Sequence, residues 1–209
     1  MNEINNVFIN IDVNYYINEI KKDISNKQFI SALAIALMLP NICAKIENPN
    51  LEKIHKEKYV KWFNKWVYRK YYSHPSNREI RKGNVKNPNL YKIKIDGDLC
   101  YALRCSLLHS GDDKIKIEEI WRNSAGKKNI KRIVPNKIEL CLNSDSELEF
   151  QFGEATSIIG NLGNENTEIS IRINIIIFIN NIVNGTKDFL KQNNIENNSL
   201  LKIIDWDRM

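Results

Sequence analysis

The stretch from Leu99 to Ser110 is apolar or small at every position except Tyr101, Arg104 and His109. Thiols and the Tyr101 phenol aside, its ionisable groups are one guanidinium and one imidazole, the types that grip anions and that exchange protons near neutrality. Arginine is costly to bury alone, so Arg104 must reach a carboxylate, a set of carbonyls, a ligand or the surface. Five residues separate Arg104 from His109, which in a regular helix sets them about 140° apart around the axis. They flank the core-directed stripe Leu99, Leu103, Leu107 on opposite sides, so Arg104 needs its length to converge with His109. If the helix lines a two-fold interface, both groups and their symmetry mates could meet in one groove.

Other chemistries draw on the same residues. Cys105 and His109, at i and i+4, would suit a thiolate and its base, but no third orienting residue is in sight and apolar neighbours raise a thiol pKa. His55, His74 and His109 are scattered and no Cys/His cluster has zinc-ligand spacing, so neither a metal nor a cofactor is expected. Purely structural roles also account for the pair. His109 would sit on the last carbonyls and dipole of its helix, and Arg104 in an ion pair with Glu47, Asp112 or Asp113.

The helix that carries them, about Gly97 to Ser110, is the fourth along the chain. Asp96 or Asp98 can cap its start, and Gly111 sits where a left-handed C-terminal cap is wanted. Earlier, helical spacing from Tyr15 to about Ser25 stops at Asn26. The nearly all-apolar FISALAIALML follows, fit for the centre of a core. Pro40 ends or kinks that helix, ICAKIE could continue it for a turn or two, and Asn48 and Pro49 close it. A third helix is expected from about Leu51 to Tyr72, with Tyr59, Trp62, Phe63 and Trp66 packed inward and Lys61, Lys65 and Arg69 facing water. Residues 73–95, with two prolines, a glycine and mostly basic charges, read as a long loop. From Lys114 the pattern turns to short β-type runs, KIKIEEI, NIKRIVP, KIELCL and ELEFQF. EISIRI then alternates before helical spacing resumes at Ile175, Phe178, Ile179, Ile182 and Val183. The expected fold is a single, mainly α domain: a helical bundle over 12–112 and 174–205, with a small β-rich insertion over 113–173 between the fourth and fifth long helices.

A chain of 209 residues can bury a core without staples. Its 43% hydrophobic fraction excludes a disordered chain, and 8 glycines with 5 prolines exclude a collagenous one. The 31 Lys and Arg against 25 Asp and Glu give a formal +6, which permits a nucleic-acid partner without demanding one. Much of that surplus falls between Lys53 and Lys94, just ahead of the Arg104 helix. Cys43, Cys100, Cys105 and Cys141 form no C-x-x-C pair and sit among apolar neighbours, as buried free thiols in a reducing compartment would. The stretch MNEINNVFINIDVNYY has no basic flank followed by an apolar run, so no signal peptide is expected. The apolar window Ile175–Ile179 is far too short to span a bilayer. The expected location is the cytoplasm, with no membrane partner.

The run Arg104-Cys105-Ser106-Leu107-Leu108-His109 resembles the R-x(4-6)-H motif of the HEPN superfamily, helical-bundle proteins that include many metal-independent endoribonucleases of toxin and antiviral systems. Its setting agrees: late in a helix, after three earlier helices. LPNICAKIE, YVKWF, DLCYALRCSLLHSG and the Phe178 helix, in that order over about residues 30–190, also resemble a widespread uncharacterised bacterial protein family. The resemblance implies a HEPN-like helical bundle. It also implies RNA cleavage by the substrate's own 2′-hydroxyl, leaving a cyclic phosphate and requiring no metal. Arg104 would bind the scissile phosphate, and His109 would act as general base or acid, an effect worth on the order of 10² to 10⁴ in rate. A homodimer would let two copies of His109 supply base and acid together, and an antitoxin or defence-system protein is the implied partner. The common pattern places Asn, Asp or His directly after the arginine, whereas Cys105 follows here. The alternative is therefore a catalytically inactive HEPN-like RNA-binding or dimerisation module.

RNA contacts are expected along the basic stripe Lys61, Lys65 and Arg69 and on Arg78, Arg81, Lys82 and Lys86 of the loop, which could track a phosphate backbone. A merely solvated helix face has the same appearance. The run Lys127 to Arg132 reads as a charged turn.

Overall fold

Asp12 accepts a hydrogen bond from the Tyr15 amide at 2.7 Å and so caps α1 (Val13–Ser25), whose Val13, Ile17 and Ile20 turn inward at helical spacing. The structure is a computed structural model in which residues 7–52, 54–72, 95–110, 137–142, 155–159, 170–195 and 201–205 are described. α1 closes with the Gln28 amide on the Asp23 carbonyl and the Lys27 amide on that of Ile24, a paired cap that puts Lys27 at φ 60°.

α2 (Phe29–Glu47) is apolar all round because it is central: α1, α3, α5 and α6 all pack on it, and Leu33, Ala36, Leu37, Leu39, Cys43 and Ala44 have no exposed surface. It runs through Pro40 to Glu47, with Asn48 as its C-cap. By length and composition it could cross a membrane, and 44% of that stretch is buried within the fold.

The next helix starts later than its sequence suggests. Lys45 donates to the carbonyls of Pro49 and Leu51, which holds that segment as a cover over the end of α2, and α3 (Lys56–Phe63) begins after His55. It passes into a π-helical turn at Asn64–Tyr68 and a short α4 (Arg69–Tyr71). Tyr59, Trp62, Phe63 and Trp66 are buried, as their spacing requires, and Lys61, Lys65 and Arg69 are exposed.

Of the two candidate caps, Asp96 accepts from the Leu99 amide at 3.2 Å and starts α5 (Gly97–Cys105), which widens into a second π-helical turn at Ser106–Ser110. In α6 (Ile175–Gln192) all five residues that announced the helix are buried. Asn174 caps it through the amides of Ile176 and Ile177 while donating to the Leu142 carbonyl. Two glycines let helices touch. A Cβ at Gly97 would lie 2.6 Å from the Val60 oxygen on α3, and one at Gly185 would lie 2.8 Å from that of Trp66.

The described residues are mainly α. β2 (Lys137–Cys141) pairs in parallel with β4 (Ser170–Asn174), whose other edge takes β3 (Ala155–Ile159) antiparallel. Of the expected runs, KIELCL and EISIRI supply β2 and β4, whereas β3 comes from ATSII, which no expectation covered. The expected helical span to 205 needs correction: α6 ends at Gln192, and β5 (Leu201–Asp205) is a strand, antiparallel to β1 (Val7–Ile11). Val7–Ile11 and Leu201–Asp205 each satisfy backbone groups that neither could satisfy alone. The expected loop at 73–94, the runs KIKIEEI, NIKRIVP and ELEFQF, the turn at 127–132 and the cap at Gly111 lie outside the described residues.

Candidate functional site

The site is built on a pin through three helices. The Tyr59 hydroxyl, fully buried on α3, donates to the Leu37 carbonyl of α2 at 3.0 Å and lies 3.3 Å from the Cys100 sulfur of α5. Burial drives its phenol well above the ordinary range and pushes the Cys100 thiol up to about 12, so both are neutral at physiological pH. The Tyr59 ring meets Tyr101 edge to face, with centroids 5.3 Å apart and planes at 73°. Tyr101 is thereby fixed on the half-buried face of α5, where Asp98, Tyr101 and Arg104 follow one another at i, i+3 and i+6.

Two cations share the Tyr101 ring. The Arg104 guanidinium carbon is 5.8 Å from its centroid, and the Lys56 ammonium, from the first turn of α3, is 5.6 Å away. Lys56 also faces Asp98 at 3.6 Å. Arg104 is half-buried, and its Nε is a buried donor with no hydrogen-bond partner among the described residues. The expected ion pair with Glu47 does not form, because Glu47 binds Lys65 at 3.1 Å. Asp112 and Asp113 lie outside the described residues.

His109 belongs to the second π-helical turn, and its side chain lies outside the described residues. The 140° separation of a regular helix, about 3.6 residues per turn, is corrected here. A turn closed by i→i+5 bonds rotates less per residue, so the His109 backbone stands closer to the Arg104 side of the axis. Such turns cluster at functional sites, and nothing in the residue types of this segment announces one.

The basic residues divide. Lys61 borders an open groove of about 350 Å³ between α3 and α5, lined also by Lys56, Glu57, Val60 and Asp98. Lys65 is held by Glu47 and stacks on Trp66 at 4.7 Å, and Arg69 is exposed on the same stripe. No contact joins either to Arg104 among the described residues. Arg78, Arg81, Lys82 and Lys86 lie outside the described residues, as does His74. Lys56 escaped the sequence reading, Asp98 entered it only as a possible cap and Tyr101 without a role at the site, although the spacing of both relative to Arg104 was there to be read.

The expected burial of all four thiols holds for Cys43 and Cys100, whereas Cys105 and Cys141 are half-buried. Among the described residues no group of three or more His, Cys, Asp or Glu is placed to hold a metal ion. Comparison with protein-family models, with curated proteins and with solved structures finds no match to this chain.

Proposed function

We propose that this chain is a HEPN-like endoribonuclease of a toxin or defence system, cutting RNA through its 2′-hydroxyl without a metal. The observation that carries the reading is the Arg104 side chain. Among the described residues its Nε donor is buried and unsatisfied, its guanidinium rests on an aromatic ring rather than a carboxylate, and Glu47, one of the expected acids, is engaged by Lys65. A buried donor without a partner costs about 1–3 kcal/mol. An anionic ligand with two oxygens repays that cost through the guanidinium fork. The chain order supports the bundle: three helical stretches, then the helix with the R-x4-H spacing, then β2 to β4 as the insertion before α6.

In this reading Arg104 grips the non-bridging oxygens of the scissile phosphate and stabilises the charge that grows there in the transition state. His109 takes the proton of the 2′-hydroxyl, whose oxygen attacks phosphorus and expels the 5′-oxygen of the next nucleotide. In a homodimer the second His109 returns a proton to that oxygen. The products are a 2′,3′-cyclic phosphate and a 5′-hydroxyl. The reducing cytoplasm is the proposed compartment, and an antitoxin or defence-system protein the proposed partner.

The test is incubation of the full chain with single-stranded RNA in EDTA. Cyclic-phosphate ends are expected, with Arg104→Ala and His109→Ala each slowing cleavage about 100-fold or more. Cutting that survives both substitutions overturns the proposal. Cys105, where related motifs carry a polar residue, favours a second reading, an inactive RNA-binding or dimerisation module. Salt-dependent RNA binding with no cleavage, and cleavage gained by Cys105→Asn, would establish it.

A further inference from the structure

The groove between α3 and α5 shares Asp98 with the Arg104 row. Asp98 lines it, Tyr101 and Arg104 follow Asp98 along the same face of α5, and Lys56 spans from the groove to the Tyr101 ring. Its volume of about 350 Å³ stands at the small end of ligand pockets, the scale of one nucleotide rather than a folded partner. Val60 lines the groove at the point where Gly97 lets the two helices touch through backbone. The walls carry two lysines and two carboxylates, Glu57 and Asp98. A bare phosphate site would not hold two acids. A nucleotide fits the mixture: its phosphates suit Lys56 and Lys61, its base can lie over the apolar Val60, and amino groups on the base edge can donate to carboxylates.

We propose that this groove is the subsite for the nucleotide next to the scissile phosphate of single-stranded RNA, and that Glu57 and Asp98 select a base with an exocyclic amino group, such as cytosine or adenine, over uracil. The assignment rests on the reading of Arg104 as the phosphate-binding group. Uracil presents two carbonyl oxygens flanking a single N–H, so it sets an acceptor against a carboxylate where cytosine and adenine set an –NH₂ donor. A polar site that leaves an acceptor facing an acceptor rejects that ligand strongly. Lys61, exposed at the rim, contributes charge and no base preference.

The experiment uses the full chain and non-cleavable 2′-O-methyl oligomers of cytidine, adenosine and uridine, with binding followed by fluorescence polarisation over a salt series. Cytidine and adenosine oligomers are expected to bind about ten-fold tighter than uridine. Glu57→Gln with Asp98→Asn should bring the three within about two-fold of one another. Lys61→Glu should weaken all three alike and flatten the salt dependence. Far-UV circular dichroism of each variant establishes that it is folded. Equal binding of the three oligomers by the native chain, or preference unchanged in the double variant, overturns the subsite. Cleavage of natural RNA without base preference overturns the subsite and leaves the nuclease reading intact. Preference without cleavage supports the subsite and overturns the nuclease. Neither binding nor cleavage overturns both.

Discussion

Tyr101 stands three residues before Arg104 on α5, and among the described residues its ring, not a carboxylate, is what the Arg104 guanidinium rests on, 5.8 Å from the centroid. A cation over an aromatic face at a partly exposed site is worth about 0.5–1 kcal/mol, while an unsatisfied buried N–H costs about 1–3 kcal/mol. The native chain therefore gains little or nothing in stability from this arginine. Arg104→Met, which keeps the length and removes the donors, should leave urea-unfolding stability unchanged or raise it by about 1 kcal/mol, while RNA cleavage falls about 100-fold or more. A loss of 2 kcal/mol or more on making this change would show that the guanidinium holds the fold rather than a ligand.

The two close helix contacts separate stability from site geometry. At Gly97 an added methyl meets Val60 backbone at 2.6 Å, and backbone cannot step aside as a flexible side chain can. Gly97 also donates its amide to the Asn64 side chain at 2.8 Å, so the start of α5 is fixed from both sides. Gly97→Ala should cost about 1–3 kcal/mol and shift Asp98, Tyr101 and Arg104 together. Cleavage per folded molecule should therefore fall. Gly185→Ala presses on Trp66 and Val67 instead, at the crossing of α6, and should cost similar stability with cleavage per folded molecule retained. Denaturant titration paired with active-site-normalised rates distinguishes them.

The helices were legible because burial imposes a period: Tyr59, Trp62, Phe63 and Trp66 in one helix and Ile175 to Val183 in another are buried wherever the 3.6-residue repeat puts them. The caps at Asp12 and Asn174 follow from side chains that compete for backbone amides, but the sequence reading did not single them out. The two π-helical turns were not legible, since one extra residue per turn leaves no mark in residue type. Nor was the β1 and β5 pair, whose partners lie almost the whole chain apart and whose pairing no local pattern encodes. At the site, Arg104 stood out because a charge interrupts an apolar helix. Lys56 did not, and Tyr101 was given no role, because their meaning depends on α3 crossing α5.

Lys27 ends α1 in the left-handed region at φ 60°, where a side chain crowds its own carbonyl and glycine does not. The hydrogen bonds of that cap, Gln28 to Asp23 and Lys27 to Ile24, come from backbone and survive substitution. Lys27→Gly should therefore stabilise the fold by about 0.5–1 kcal/mol, read as a higher urea midpoint with unchanged slope. Asn194 closes α6 in the same way at φ 49°, but asparagine tolerates that region, so Asn194→Gly should gain less. Equal gains at the two positions would contradict the strain argument.

The buried node at Tyr59 and Cys100 sets how stability responds to alkali. Burial raises the Cys100 thiol from its ordinary 9.0 to about 12, and raises Tyr59 and Cys43 in the same direction. In the unfolded chain these groups ionise at ordinary values, so above about pH 9 the unfolded state sheds protons that the folded state keeps. Their contribution is fully present below that pH and is lost as pH climbs from about 9 towards 12, at a rate on the order of 1 kcal/mol per pH unit for each group. Unfolding free energy should thus be flat with respect to these groups up to about pH 8 and fall above 9, more steeply past 10 as Tyr59 joins. Cys100→Ala lowers stability at every pH through the cavity it opens, yet it should make the alkaline fall shallower by one group's share. Urea unfolding of both proteins at intervals from pH 7 to about 11 reads the slopes directly. Identical slopes would place the thiol outside the linkage.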